Sequence, residues 1–299
     1  MLVTDGAVPT GAGDEAPLPT EIVLPVDGRL PHDRKRAPAA ESDVATWQRP
    51  YVSDYLPALT TPATRAWFHF CHGHHMEFLY WQATRAVCEL AADAAKAGED
   101  AVLDQAVQRA CQLIYGSGAM LLYCAAFDPA VYDPCLRSSM AADRSDFSGD
   151  MSQDFLAMTV AKADLVDALR ARAGAGGHEA VLREAERYWH ERHAHVIISL
   201  HKGKSLLAET VDRLKAQSET FDYRQYVDSV VHSGQAERDY DRYFGVTRAD
   251  DLTIDDYWTQ AVEKVATVHR HFAASAEDRA HLARGDGVLL AVVSERLGD

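Results

Sequence analysis

The feature that most restricts the fold of this chain is a helical repeat of apolar residues between Thr61 and Gly98. Thr61 and Pro62 are typical of a helix start, because a hydroxyl caps the first free backbone N–H groups and proline fits the first helical position. One face of this helix carries Trp67, Cys71, His74, Phe78, Trp81, Arg85 and Cys88, at alternating steps of four and three. Since the chain nowhere sustains a period-two pattern, we predict a mainly α fold.

Further helices are predicted from the same spacing over residues 99–126 and 151–172. A long helix is predicted from about residue 178 to about residue 216, with a break at Gly203. The Pro-containing polar stretch 128–150 between these helices is predicted as a long loop, and loops of this length are more often functional than idle.

The first 40 residues differ in composition from the rest of the chain. Residues 1–40 are rich in Pro, Gly, Ala and charged side chains, so we expect an N-terminal arm that is either disordered or in contact with a neighbouring subunit. Residues 41–299 then form one predicted helical domain.

The charge of the chain restricts its partners. The formal net charge is -15 at pH 7, whereas nucleic acids and anionic membranes require a basic surface. No secretory signal and no apolar run of membrane-spanning length is present, so a cytoplasmic protein is expected. The five cysteines include no CxxC pair, which argues against a disulfide framework, structural zinc and ordinary c-type haem attachment.

Two clusters of histidines lie on separate apolar helices. The first cluster contains His69, His72, His74 and His75, and the second contains His190, His193, His195 and His201. An imidazole on an apolar helix suits an iron or haem ligand, although each histidine taken singly is also compatible with a surface or hydrogen-bonded core position. Together the clusters indicate two walls of one pocket.

The second cluster resembles the proximal segment of the haem-dependent tryptophan 2,3-dioxygenase superfamily. That segment has the pattern Trp-x-x-Arg-His, and here Trp189-His-Glu-Arg192-His193 is followed by an apolar helical continuation. The family's distal helix has Phe-x-x-x-His before a glutamate and an apolar run, which fits either His72 or His74 ahead of Glu77. The resemblance implies a helical bundle of the tryptophan dioxygenase type, with haem b between the two helices and His193 as axial ligand.

A departure from the dioxygenase pattern follows the proximal helix. The dioxygenases have a glycine-rich substrate loop there, whereas this chain continues from Lys204 as Lys-Ser-Leu-Leu-Ala-Glu-Thr. The chain is therefore more similar to the haem-dependent L-tyrosine hydroxylases of bacterial natural-product pathways. This resemblance implies conversion of L-tyrosine to L-DOPA with hydrogen peroxide by a homo-oligomer. A sister branch that acts on 3-methyltyrosine attaches its haem through His-x-x-x-Cys, and here the fourth residue after His193 is Ile197.

The resemblance also suggests roles for other residues. His74 or His72 would act as the distal acid or base, and the sequence leaves open which of His72, His74 and His75 faces the iron. A substrate carboxylate needs a cation, and Arg137 is our candidate because family members place an arginine between the distal and proximal helices. Arg85 is the second candidate for the substrate carboxylate, although its position within the aromatic face makes it a better candidate for packing or for a haem propionate. Dioxygen remains the alternative oxidant.

Three other functions remain open at this stage. The first is a tryptophan or indole 2,3-dioxygenase-like enzyme. The second is a non-haem iron oxygenase, for which Glu186-x-x-x-His190 offers a carboxylate and an imidazole one turn apart. A di-iron bundle requires two Glu-x-x-His elements, however, and the chain contains none. The third is a haem sensor without catalysis.

Overall fold

A computed structural model describes residues 21–31, 61–172, 174–201, 204–272 and 275–298. The helices are α1 (Pro62–Ala97), α2 (Asp100–Cys124), α3 (Ser138–Asp143), α4 (Gln153–Ala171), α5 (Gly176–His201), α6 (Leu206–Gln217), α7 (Tyr223–Tyr226), α8 (Gly234–Tyr243), α9 (Ile254–His271) and α10 (Ala276–Gly298). The strands are β1 (Ile22–Pro25) and β2 (Val246–Ala249). The predicted mainly α fold is confirmed.

Helix α1 is the central element of the bundle, and its ends follow from local chemistry. The Thr61 hydroxyl accepts a hydrogen bond from the backbone N–H of Thr64 at 3.1 Å, and the Thr64 hydroxyl accepts one from the N–H of Thr61 at 3.2 Å. This capping box fixes the start of the helix. Gly98 ends it with φ 80°, a left-handed conformation that glycine adopts without strain. Between these ends α1 is buried against α2 and α4.

Two glycines of α2 allow other helices to approach closely. A Cβ at Gly116 would lie 2.9 Å from the Cα of Gly285 in α10, and a Cβ at Gly118 would lie 3.2 Å from the Cα of Trp189 in α5. Both distances are shorter than ordinary carbon contacts. The backbones of α10 and α5 therefore lie directly against this Gly-Ser-Gly segment.

The stretch predicted as a long loop contains several short helical turns. They are the 3-10 turns Pro129–Val131 and Gly149–Met151, the π-type turn Tyr132–Arg137, and α3. Each 3-10 turn begins with a side-chain cap, since Asp128 accepts from the N–H of Ala130 and Ser148 accepts from the N–H of Asp150. Local caps therefore order a stretch that lacks helical periodicity.

Part of the predicted N-terminal arm belongs to the folded domain. Strand β1 pairs in parallel with β2, with Ile22 opposite Val246. Leu24 is fully buried, and Arg248 of β2 forms ion pairs with Asp154 of α4 at 2.9 Å and with Asp241 of α8 at 2.8 Å. The other arm residues and the predicted domain boundary at residue 40 lie outside the described residues, as does the predicted break at Gly203.

Within the described ranges, no single helix has the length and apolar content to cross a membrane, although the bent pair Asp100–Cys124 and Pro129–Asp143 meets both criteria together.

Candidate functional site

A cavity of about 570 Å³ opens between α1, the 132–150 segment, α5 and α6. Its volume lies within the range of small-molecule and cofactor sites, about 300–1,000 Å³. Most of its wall is apolar or aromatic, including Phe70, Trp81, Leu121, Met140, Phe147, Phe155, Val196, Ile197, Leu200 and Leu207. The wall also contains a few polar groups, among which are His74, Glu77, Arg137, Asp150 and His193. The cavity thus brings together a residue from each of the two predicted histidine clusters.

His74 contributes a neutral imidazole with one unprotonated nitrogen. Its Nδ1 is 2.7 Å from the carbonyl oxygen of Phe70, and because a carbonyl only accepts, Nδ1 carries the hydrogen and Nε2 keeps its lone pair. The ring stacks on Phe244 with centroids 4.1 Å apart. Burial lowers the pKa of His74 to about 4, so at neutral pH the imidazole is uncharged and Nε2 can accept a proton.

His193 lies on α5, across the cavity from α1. Its ring stacks on Trp189 with centroids 5.0 Å apart and 21° between the planes. Burial, followed by the neighbouring His190, lowers the pKa of His193. No residue in the described part of the chain forms a hydrogen bond with this imidazole. A neutral imidazole has a nitrogen lone pair, and a lone pair that no hydrogen bond occupies meets the chemical requirement for an iron ligand.

His72 and His75 face away from this cavity, toward α9 and the end of α8. His72 Nε2 donates to the carbonyl oxygen of Lys264 at 3.1 Å, and His75 Nε2 donates to the carbonyl oxygen of Phe244 at 2.6 Å. His75 Nδ1 is 2.9 Å from Lys264 Nζ. Within the described residues, neither histidine belongs to the cavity wall. His72 and His75 are thus hydrogen-bonded core histidines, which is one of the alternatives that the sequence left open for each histidine taken singly.

Arg137 lies on the cavity wall within the 132–150 segment. Its guanidinium forms an ion pair with Glu209 at 2.7 Å and donates to the carbonyl oxygen of Lys204 at 3.3 Å. The Glu209 side chain is about half exposed, at 52%. A substrate carboxylate at Arg137 would therefore share or replace a solvent-exposed partner, which costs less than breaking a buried pair.

The other sequence candidates lie elsewhere. Arg85 binds Glu89 at 2.9 Å and the carbonyl oxygen of Asp27 at 3.1 Å, so it ties the β1 segment to α1. His190 and His195 are exposed on α5. Among the residues that the structure describes, these three are not part of the cavity wall.

A buried carboxyl group at the cavity, Glu77, was placed in the family's distal motif by the sequence but was given no role in a haem site. Ser117 donates to Glu77 Oε2 at 2.6 Å, and Trp189 Nε1 donates to Ser117 Oγ at 3.0 Å. Burial raises the pKa of Glu77 to about 8, so the carboxyl group is largely protonated at neutral pH. The sequence signal was present: Glu77 is one helical turn after His74, and both of its neighbours, Met76 and Phe78, are apolar.

The residues around the cavity fit a haem. They supply a neutral imidazole free of protein hydrogen bonds in the described ranges, a second imidazole with an unprotonated nitrogen, and aromatic walls. This donor set meets the chemical requirements of a histidine-ligated haem. By contrast, no group of three or more His, Cys, Asp or Glu side chains in the described part of the chain is placed to hold a metal ion.

Comparison with protein-family models matches residues 24–180 to the family described as SfmD 3-methyl-L-tyrosine peroxygenase. The match covers more than half of the 299 residues. The matched range includes the last two residues of β1, helices α1 and α2, and Arg137. His193 lies beyond the end of the matched range. No curated protein matches the chain.

Proposed function

Because the chain belongs to the SfmD 3-methyl-L-tyrosine peroxygenase family, we propose that it hydroxylates the ring of L-tyrosine with hydrogen peroxide, yielding L-DOPA and water. The chain is an oxidoreductase that acts on an aromatic amino acid. The observation that best supports the proposal is the pair of neutral imidazoles, His74 and His193, on the wall of one aromatic cavity. A bacterial natural-product pathway is the proposed setting.

The proposed cofactor is haem b, since the family is haem-dependent. His193 would hold the iron, and the aromatic walls would surround the macrocycle. When bound, haem supplies the redox chemistry by which one oxygen atom of peroxide reaches the substrate ring. The word peroxygenase in the family description supports peroxide over dioxygen as the oxidant.

His74 is the proposed proton carrier. Its Nε2 can accept the proton of hydrogen peroxide and return it to the oxygen that leaves as water, so the imidazole is neutral before and after the reaction. The hydrogen bond from Nδ1 to the Phe70 carbonyl and the stack on Phe244 hold the ring for both transfers. The low pKa keeps His74 in the proton-accepting form at neutral pH.

Arg137 is the proposed site for the substrate carboxylate, because a planar guanidinium can bind a carboxylate through two hydrogen bonds. Replacement by alanine should weaken L-tyrosine binding by at least about tenfold. Tyramine, which lacks the carboxylate, should bind the variant and the wild type alike. Titration of both ligands into both proteins, followed by the haem absorption band, measures this difference. An equal loss of affinity for both ligands would contradict the role of Arg137.

A second candidate substrate is 3-methyl-L-tyrosine, which the family description names. We propose L-tyrosine rather than 3-methyl-L-tyrosine as the substrate because no histidine lies four residues before any of the five cysteines. The resemblance described above associates such a His-x-x-x-Cys element with the branch that acts on 3-methyltyrosine.

The experiment is a peroxide-driven reaction of the haem-loaded protein with each amino acid, followed by mass spectrometry of the products. Addition of one oxygen atom to L-tyrosine, with higher kcat/KM than for 3-methyl-L-tyrosine, would support the proposal. The reverse preference would establish the second candidate. Turnover of L-tryptophan alone would instead support the dioxygenase alternative.

A further inference from the structure

Trp189 begins a hydrogen-bonded chain of side chains through its Nε1, and its ring stacks on the imidazole of His193. The chain consists of Trp189 Nε1, Ser117 Oγ and Glu77 Oε2, with distances of 3.0 Å and 2.6 Å. It connects α5 to α2 and α2 to α1. Glu77 is buried and has no charged partner within the described residues.

Trp189 and Ser117 are the donors in this hydrogen-bonded chain. An indole nitrogen can only donate, so Ser117 Oγ accepts from Trp189, and the Ser117 O–H donates to Glu77 Oε2. Glu77 is thus the terminal acceptor. A side chain without an acceptor at position 77 would leave the Ser117 O–H proton without its acceptor in a buried site, and the hydroxyl would then no longer be held in position for the indole.

The indole in turn restricts the imidazole. The two rings are nearly parallel, and no hydrogen bond from a described residue fixes His193. The plane of Trp189 therefore restrains rotation of the His193 ring. Gly118 permits this arrangement, because the Trp189 backbone lies where a Cβ at position 118 would be in close contact.

We propose that Glu77 and Ser117 are positioning residues, which fix the plane of Trp189 and thereby orient the imidazole of His193 toward the haem. The inference rests on the proposed function in one respect, namely that His193 binds the iron. Neither Glu77 nor Ser117 is assigned a contact with the iron or the substrate.

The test uses the haem-loaded protein and the variants Ser117→Ala, Glu77→Leu, Glu77→Gln and Trp189→Phe. Tyr80→Phe is a matched control, since Tyr80 is a buried residue of α1 whose hydroxyl donates to the carboxylate of Asp286 at 2.6 Å, outside the described cavity wall. Two quantities are measured: the rate of haem transfer to excess apomyoglobin, and the ferric electron paramagnetic resonance spectrum, which responds to the orientation of an axial imidazole.

Ser117→Ala, Glu77→Leu and Trp189→Phe should release haem about tenfold faster and change the ferric spectrum, as substitutions behind a metal ligand do. Glu77→Gln should remain within about twofold of wild type, because its amide oxygen can still accept from Ser117. Wild-type release and an unchanged spectrum for Ser117→Ala and Glu77→Leu would overturn the inference. So would an equally fast release from Tyr80→Phe, which would indicate general loosening of the core.

His193→Ala separates this inference from the proposed function. Loss of the haem band in His193→Ala supports His193 as the iron ligand. The variants at Glu77, Ser117 and Trp189 then test the positioning role alone. Retention of a wild-type ferric spectrum in His193→Ala would disprove the ligand assignment and the positioning role with it.

Discussion

His72 and His74 are two residues apart on α1, and two residues of an α-helix turn a side chain by about 200°. They therefore point in opposite directions, His74 into the cavity and His72 toward the carbonyl oxygen of Lys264. The family motif fits either residue. The helical phase is the better guide to which histidine lines the cavity, because His74 lies on the same face of the helix as Phe78 and Trp81, whereas His72 does not.

Substitution of His74 by glutamine should slow peroxide-driven hydroxylation by about 10²- to 10⁴-fold, because glutamine cannot carry the proton. His72→Gln is the matched control, and its rate per bound haem should stay close to wild type. Single-turnover kinetics with L-tyrosine and peroxide measures both. A slow His72→Gln variant with a fast His74→Gln variant would exchange the two assignments.

The pH dependence of stability should reveal the buried Glu77. The unfolded chain loses this proton near the ordinary pKa of 4.5, whereas the folded chain keeps it until about pH 8. Between these values the folded state binds more protons than the unfolded state, so the free energy of unfolding falls as pH rises, by about 1.4 kcal/mol per pH unit. Above pH 8 this contribution is constant.

Glu77→Gln removes this contribution, because glutamine does not titrate. Chemical denaturation of the haem-free proteins should therefore show the variant gaining stability over wild type as pH rises from 4.5 to 8. A difference in unfolding free energy that stays constant over this range would contradict the raised pKa.

At the scale of elements, the sequence predicted the helices best where caps are local. The predicted limits Thr61 and Gly98 flank α1, because the capping box and the left-handed glycine lie within a few residues of each end. The stretch 128–150 was predicted as a loop because its turns are too short to produce a periodic pattern. The Glu77–Ser117–Trp189 chain joins three helices, and no local pattern predicts such a contact.

Gly118→Ala should separate α5 from α2, since the added Cβ would lie 2.8 Å from the Tyr188 ring and 3.2 Å from the Trp189 Cα. We expect a loss of about 1–3 kcal/mol in unfolding free energy. Gly287→Ala is the control, because a Cβ there meets nothing within 4 Å and a helical glycine is replaced by a better helix former. Thermal unfolding of both variants measures the difference, and equal midpoints would argue against a close contact at Gly118.

At the scale of the whole molecule, the pairing of β1 with β2 was the feature furthest from sequence prediction. The apolar residues 22–26 lie within the predicted arm, because one four-residue strand has no recognisable partner in a helical sequence. Its partner β2 is more than 200 residues away along the chain. Gln260 of α9 adds a further long-range bond, in which its Oε1 accepts from the N–H of Val23 at 2.7 Å.

Leu24→Ala tests how much this pairing stabilises the fold. Leu24 is fully buried, so we expect a loss of about 2–4 kcal/mol in unfolding free energy. Val23→Ala, on the partly exposed side of the same strand, should cost roughly 1 kcal/mol or less. Denaturant titration measures both values. Equal small losses would mean that β1 contributes little to global stability.

The separation of β1 and β2 also bears on how a cell makes this protein. A ribosome adds about 5–20 residues per second, so β1 emerges roughly 10 to 45 seconds before β2 has been synthesised. During that interval the strand has no edge to join and must stay accessible on the nascent chain. Helices α1 and α2, which contact each other over a short loop, can assemble first. The pairing of β1 with β2 is therefore a late event in biosynthesis. Until it occurs, a chaperone that binds short apolar segments could bind residues 22–26.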